Sequence, residues 1–125
     1  MTAEQAIYQF WAGFGIPAYE ENSVPSGDLA PDFPYIAYSV SLAGFGENTA
    51  LSGSIYTRST SWEQANAFSQ NAFDRIGYGG EILRYDGGAI WLKRGTPFSQ
   101  SMGDDTDALI KRINLNLFAE TISAR

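Results

Sequence analysis

The sequence predicts an α+β domain: a mostly antiparallel sheet of about five strands with two helices packed on it, in the order α-β-β-α-β-β-β. Three observations carry this. Two segments place apolar residues at helical spacing. Several others alternate apolar and polar residues with a period of two. The links between neighbouring strand-like runs are short, Gly-rich and of hairpin type.

The first helix begins with Thr2 and Gln5, which fit a capping box, and continues with Ile7, Phe10, Trp11 and Phe14 as one apolar stripe. Gly13 and Gly15 offer a left-handed stop. The following stretch, GIPAYEENSVPSGDLAPDFP, holds four of the five prolines and reads as an irregular crossing, with Ile16, Tyr19 and Val24 partly packed. In PYIAYSVSL the residues Ile36, Tyr38, Val40 and Leu42 share a face, with Tyr35, Ala37, Ser39 and Ser41 opposite. After the AGFGENT connection, ALSGSIYTR alternates again, with Leu51, Gly53 and Ile55 facing one way and Ser52, Ser54, Tyr56 and Arg58 the other. The two runs predict an antiparallel hairpin.

The second helix reads from STSWEQANAFSQNAFDRIG. Thr60 with Glu63, or Ser61 with Gln64, fits a capping box. Trp62, Ala65, Phe68, Ala72, Phe73 and Ile76 form the apolar face, and Gly77 is a natural stop. EILRY, the DGG turn and AIWLKR predict a second hairpin. Residues 95–107 read as a loop of about a dozen residues, long enough to suggest function. The last strand, DALIKRINLNLF, turns Ile113, Leu115 and Leu117 inward and Arg112, Asn114 and Asn116 outward. Tyr35, Tyr56 and Trp91 fall opposite the clearer core rows, so both faces of the sheet are expected to be at least partly covered.

A chain of 125 residues predicts one domain, residues 1–125, able to bury a real core. It contains no cysteine and no histidine. Disulfides, thiolate sites and Cys or Ser-His mechanisms are thereby excluded within the chain, and the commonest general base is missing. The expectation is a non-enzyme without cofactors. The net charge of −6 is unevenly placed: residues 1–57 hold six acids (Glu4, Glu20, Glu21, Asp28, Asp32, Glu47) and no base, while residues 58–125 hold eight of each. No basic patch suited to phosphate binding is apparent. No signal peptide or membrane-length apolar run is seen, which predicts a soluble protein made in the cytoplasm.

Asp104, Asp105 and Asp107 are the candidate metal ligands, since hard cations take several oxygen donors. Their spacing does not match an EF-hand, and a polar turn with one Asp bonding backbone amides is the favoured reading, with no metal. Glu20 and Glu21 are adjacent and point apart, which does not suit an acid/base pair. GFGEN and GYGGE lack the ending and context of a phosphate loop.

The stretches FWAGFGIPAYEENSVP, FPYIAYSVS, YTRSTSWEQ and DGGAIWLKRGTPFSQSMGDDTDALIKRINLNLFAE resemble the tail terminator, or tail completion, family of long-tailed bacteriophages, in the same order over nearly the whole chain. The resemblance implies a tail-terminator-like α+β subunit, a virion protein of the neck or tail end assembled in the bacterial host cytoplasm. It implies a ring, usually hexameric, that caps the tail tube, stops polymerisation of the major tail tube protein and docks onto the head–tail connector. DNA passes through the lumen without sequence-specific binding, and no catalytic residue, cofactor or membrane is implied. A head–tail joining, stopper or minor capsid protein is the alternative at another level of the neck. A small peptide- or sugar-binding module and a carboxylate-based hydrolase are the readings from other classes.

Within a ring, the loop is expected to be a contact arm. Arg94 starts it, Pro97 lies in it, Phe98 and Met102 anchor it in a groove of a neighbour or of their own subunit, and Asp104, Asp105 and Asp107 end it. Removing residues 96–104 is expected to leave the fold intact. Glu20, Glu21, Asp28 and Asp32 are expected to line an acidic lumen that repels DNA phosphates.

Overall fold

Six strands, not about five, form the sheet. The computed structural model describes residues 1–42, 44 and 46–123. The chain runs α1 (Ala3–Ala12), β1 (Ala18–Glu20), β2 (Tyr35–Tyr38), β3 (Asn48–Arg58), α2 (Glu63–Ile76), β4 (Glu81–Tyr85), β5 (Gly88–Gly103) and β6 (Ile110–Ser123), with a 3-10 turn at Gly27–Leu29. The order across the sheet is β1-β2-β3-β6-β5-β4. The class remains α+β, but the predicted element order and strand number are corrected. The extra strand, β1, lies inside the Pro-rich crossing and pairs parallel to β2, with Tyr19 opposite Ala37. The sheet is therefore mixed and not uniformly antiparallel.

The sheet curls into a half-barrel around the helices. Helix α1 rests on β1 at one edge and β4 at the other, while α2 rests on β3, β5 and β6. The concave face supplies one core, in which Ile7, Phe10 and Trp11 of α1 and Ala65, Ala72 and Ile76 of α2 meet Ile36, Leu51, Ile55, Ile90, Leu92, Ile113, Leu115 and Leu117. Trp11 is 1% exposed and stacks on Tyr38, with ring centroids 6.1 Å apart. Room for it comes from Gly53, where a Cβ would lie 2.5 Å from the indole Cη2. A strand glycine here marks a close approach and not a turn.

The helix ends only partly follow the sequence. Thr2 and Gln5 form the predicted capping box. Gly15 adopts the left-handed conformation, but Gly13 does not. Neither predicted box forms at α2. The hydroxyl of Ser59 accepts from the Ser61 amide and that of Ser61 from the Glu63 amide, so two successive serine turns lead into the helix and Thr60 takes no part. Strand β2 stops at Tyr38, short of the predicted run, and Leu42 is exposed. Of the connection that follows, Ala43 and Phe45 lie outside the described residues.

Residues 95–107 are not a loop. Strand β5 continues to Gly103, and Ser99–Gly103 pair with Lys111–Leu115 of β6 after a bulge between Arg94 and Ser99. Two contacts shape the bulge. Gly95 packs against the Asn116 backbone so closely that a Cβ would sit 2.6 Å from its carbonyl oxygen. The Asn116 amide then donates to the Pro97 carbonyl at 2.9 Å and the Gln100 side chain at 3.3 Å, which closes the bulge.

Candidate functional site

Alternation along a strand means that a sheet with both helices on one side has a second face to account for. Among the described residues no helix covers the convex face. Tyr35, Tyr56 and Trp91, expected on a partly covered second face, are half-buried there, and Tyr35 and Tyr56 shield each other. They sit directly opposite in register and stack at 4.9 Å with an interplanar angle of 11°. Tyr19 and Phe33 approach Tyr35 at 6.4 and 5.5 Å, and the Arg112 guanidinium stands 5.5 Å from the Tyr56 centroid. Burial pushes the Tyr35 hydroxyl above its ordinary value, with the neighbouring Tyr56 phenol adding to the effect.

A polar chain continues the stripe across the sheet. Arg112 Nε donates to Ser54 Oγ at 3.0 Å, Ser54 donates to Asn114 Oδ1 at 3.1 Å, and Asn114 donates to Asn116 Oδ1 at 3.0 Å. Asn116 then reaches the β5 bulge. Further along, Lys93 Nζ lies 4.6 Å from the Trp91 ring, and the Trp91 indole donates to the Gly79 carbonyl at 2.7 Å. The stripe is thus rich in Tyr, Trp and Arg, the residues that concentrate at the centres of protein contacts. Tyr35, Tyr56 and the outward row of β6 were legible as outward residues. Ser54 was legible too, on the row of Tyr56, but Tyr19 and Phe33 were not, because their place depends on which strands become neighbours.

The expected arm residues are held mainly by their own subunit. Arg94 turns to the concave side, where Nη2 and Nε donate to the Phe73 carbonyl at 2.7 and 3.2 Å and the guanidinium lies over the Phe73 ring. It caps the C-terminal end of α2. Phe98 packs edge-on against Phe73 at 5.5 Å. Its groove is therefore in its own subunit. Pro97 contributes its carbonyl to Asn116, and Met102 is half-buried opposite Arg112 in the ladder. Removing residues 96–104 would strip paired strand from β6, so the expectation that this leaves the fold intact no longer holds.

Two of the three Asp residues, Asp104 and Asp107, shape the β5–β6 turn. Asp104 Oδ1 accepts from the Thr106 hydroxyl at 2.7 Å, the Thr106 amide at 2.8 Å and the Asp107 amide at 2.9 Å. These bonds hold its carboxyl below the ordinary value, the Thr106 hydroxyl most of all. Asp107 is held down chiefly by the Leu109 amide and then by Arg58, which it meets at 3.0 Å. Asp105 is exposed. Among the described residues no group of three carboxylates is placed to hold a metal ion.

The four expected lumen acids belong to one edge of the sheet. Glu20 ends β1 and accepts from the Asn22 amide at 3.0 Å and the Asn22 side chain at 3.1 Å. Glu21, Asp28 and Asp32 follow on the crossing to β2, all exposed. No helix of the described residues is long and apolar enough to cross a membrane. No protein-family model matches this chain, and a search of curated proteins finds no match.

Proposed function

We propose that this chain is a structural subunit that assembles as a ring, six copies being the expected number, at the end of a long-tailed phage tail tube. There it ends polymerisation of the tube protein and docks the tail to the head connector. The observation that carries this reading is the convex face, which no helix of the described residues covers and where stacked tyrosines, Arg112 and a hydrogen-bonded Ser-Asn chain form a preordered contact stripe. Such a face suits a large flat partner better than a small substrate. The resemblance noted in the sequence supplies the kind of assembly, and a chain without His or Cys fits a structural role. In a ring the edge bearing Glu20, Glu21, Asp28 and Asp32 faces the lumen, where negative charge keeps DNA from adhering.

The test is a tube-capping assay. Purified protein added to polymerising tail tube protein is expected to fix tube length, and Tyr35→Ala with Tyr56→Ala to abolish that effect without unfolding the chain. Tubes that lengthen unchecked in the presence of folded wild-type protein would overturn the reading.

A further inference from the structure

The distal half of β5 is a strand edge with a neighbour on one side only. Strand β4 pairs with Gly88–Leu92 and stops, whereas β6 runs on beside Ser99–Gly103. The ladder fixes where the free backbone groups point. The Ser59 amide donates to the Leu109 carbonyl, so Lys111, Ile113 and Leu115 turn their N–H and C=O groups toward β3. Arg112 and Asn114 between them turn theirs toward their β5 partners, Met102 and Gln100. Ser99, Ser101 and Gly103 therefore point their own groups out of the sheet. All three are exposed, and these groups have no backbone partner among the described residues.

Open edges are normally guarded by charge, proline or brevity. Strand β1 is three residues long and ends on Glu20, and β4 carries Glu81 and Arg84. Phe98–Gly103 has no charge and no proline. The helix beside it is neutral too, with no ionisable residue from Gln64 to Phe73. Strand and helix border an open groove of about 270 Å3, lined by Phe73 and Phe98 and by the uncharged Asn66, Ser69 and Gln70. A chain with a net charge of −6 repels its own copies, and this neutral surface is where two of them meet with least repulsion. A cationic partner would instead be drawn to the acidic edge at β1.

We infer that two copies pair through this edge, antiparallel about a two-fold axis beside Ser101. Ser99 of each copy lies opposite Gly103 of the other, and Ser101 lies opposite its own equivalent. Every outward N–H and C=O of the three residues then finds a partner, because residues whose groups point outward face one another. The faces match as well. Ser99, Ser101 and Gly103 stand opposite Leu115, Ile113 and Lys111, on the concave side of the sheet. Both copies thus keep their helices on the same side, with only small side chains at the joint. The contact is isologous and closes on two copies. It is independent of the ring proposed above, since a two-fold contact cannot run round a ring that has a tube end and a connector end.

Ser101→Cys tests the register in a chain that has no cysteine of its own. Cα atoms of a hydrogen-bonded antiparallel pair lie about 5.5 Å apart, within the span of a disulfide. Mild oxidation is expected to give a covalent dimer at least roughly tenfold faster than from Thr96→Cys, an exposed position outside the paired segment. Light scattering of the wild type is expected to find twice the chain mass as the first species above one copy. Ser101→Pro should weaken that pair at least roughly tenfold and keep the wild-type melting midpoint, because the amide it removes points out of the sheet. Gln100→Pro removes an amide turned toward β6 and should lower the midpoint. Ser101→Lys sets two cations opposite each other and should weaken the pair as Ser101→Pro does. Equal cross-linking of Ser101→Cys and Thr96→Cys, or wild-type pairing by Ser101→Lys, would overturn the contact and leave the ring reading standing. A wild type of single-copy mass whose binding to tube protein is lost in Ser101→Lys would also overturn it, and assign the edge to that protein. Pairs formed by a protein that fails to cap tubes would support the contact and overturn the ring reading.

Discussion

Replacing Arg94 by Ala should destabilise the fold more than it disturbs any contact between copies. The guanidinium makes two hydrogen bonds to one carbonyl, at 2.7 and 3.2 Å, and lies over Phe73 with a second ring, Tyr78, at 4.9 Å. A hydrogen bond to a charged group contributes about 1.5–3 kcal/mol and a cation–π contact about 0.5–2 kcal/mol. The two share one side chain and are not additive, so a loss of about 2–3 kcal/mol is expected. For a chain of this length each kcal/mol moves the midpoint by roughly 3–5 °C, giving a fall of about 6–15 °C. Arg94→Lys keeps the charge but loses the planar fork, and should recover less than half of it. Thermal unfolding followed by circular dichroism reads the midpoint, and light scattering below it reads the assembly. An Arg94→Ala protein within 1 °C of wild type, or one that is fully folded and fails to assemble, would refute the assignment of Arg94 to the end of α2.

Other expectations follow from the same geometry. Gly53→Ala drives a Cβ into the buried Trp11 ring and should cost about 1–3 kcal/mol, with Trp11→Phe partly relieving it; additive costs in the double variant would count against the close approach. Asp104 has a depressed folded-state pKa, so its contribution is present above the unfolded value and lost as pH falls through the folded one. The stability gap between wild type and Asp104→Ala should be full at neutral pH and close below about pH 3.8, which denaturant titrations at each pH would check. Millimolar calcium should leave the melting midpoint unchanged, because Asp104 already accepts three internal hydrogen bonds; a rise would point to a cation site. Deleting residues 96–103 should lower the midpoint sharply, whereas shortening the 104–108 turn should not.

How far the fold could be read from the sequence depended on whether the signal was local. The capping box at Thr2, the apolar stripes of both helices and the inward row of β6 depend on periodicity within one segment; they appear as read except that Phe14 and Trp62 lie just outside the helix ends. Strand β1 is three residues long, too short to show a period, and exists because β2 lies beside it. The second half of β5 carries Gly, Pro and Ser, all loop signals, yet β6 gives it a partner and Asn116 closes the bulge those residues require. As a loop the segment would leave Arg94 and Phe98 free to reach a neighbour; as a strand it sets both against Phe73 of α2. The convex stripe was half visible, since outward Tyr35 and Tyr56 could be picked out but their stacking needed the strand register.

Self-assembly through surfaces that no helix of the described residues covers is the central proposal. The mass of the purified protein, measured by light scattering across a concentration series, tests this most directly. One closed species at a fixed multiple of the chain mass is expected, reached as concentration rises. A single-chain mass at every concentration, unchanged by added tail tube or connector protein, would contradict it.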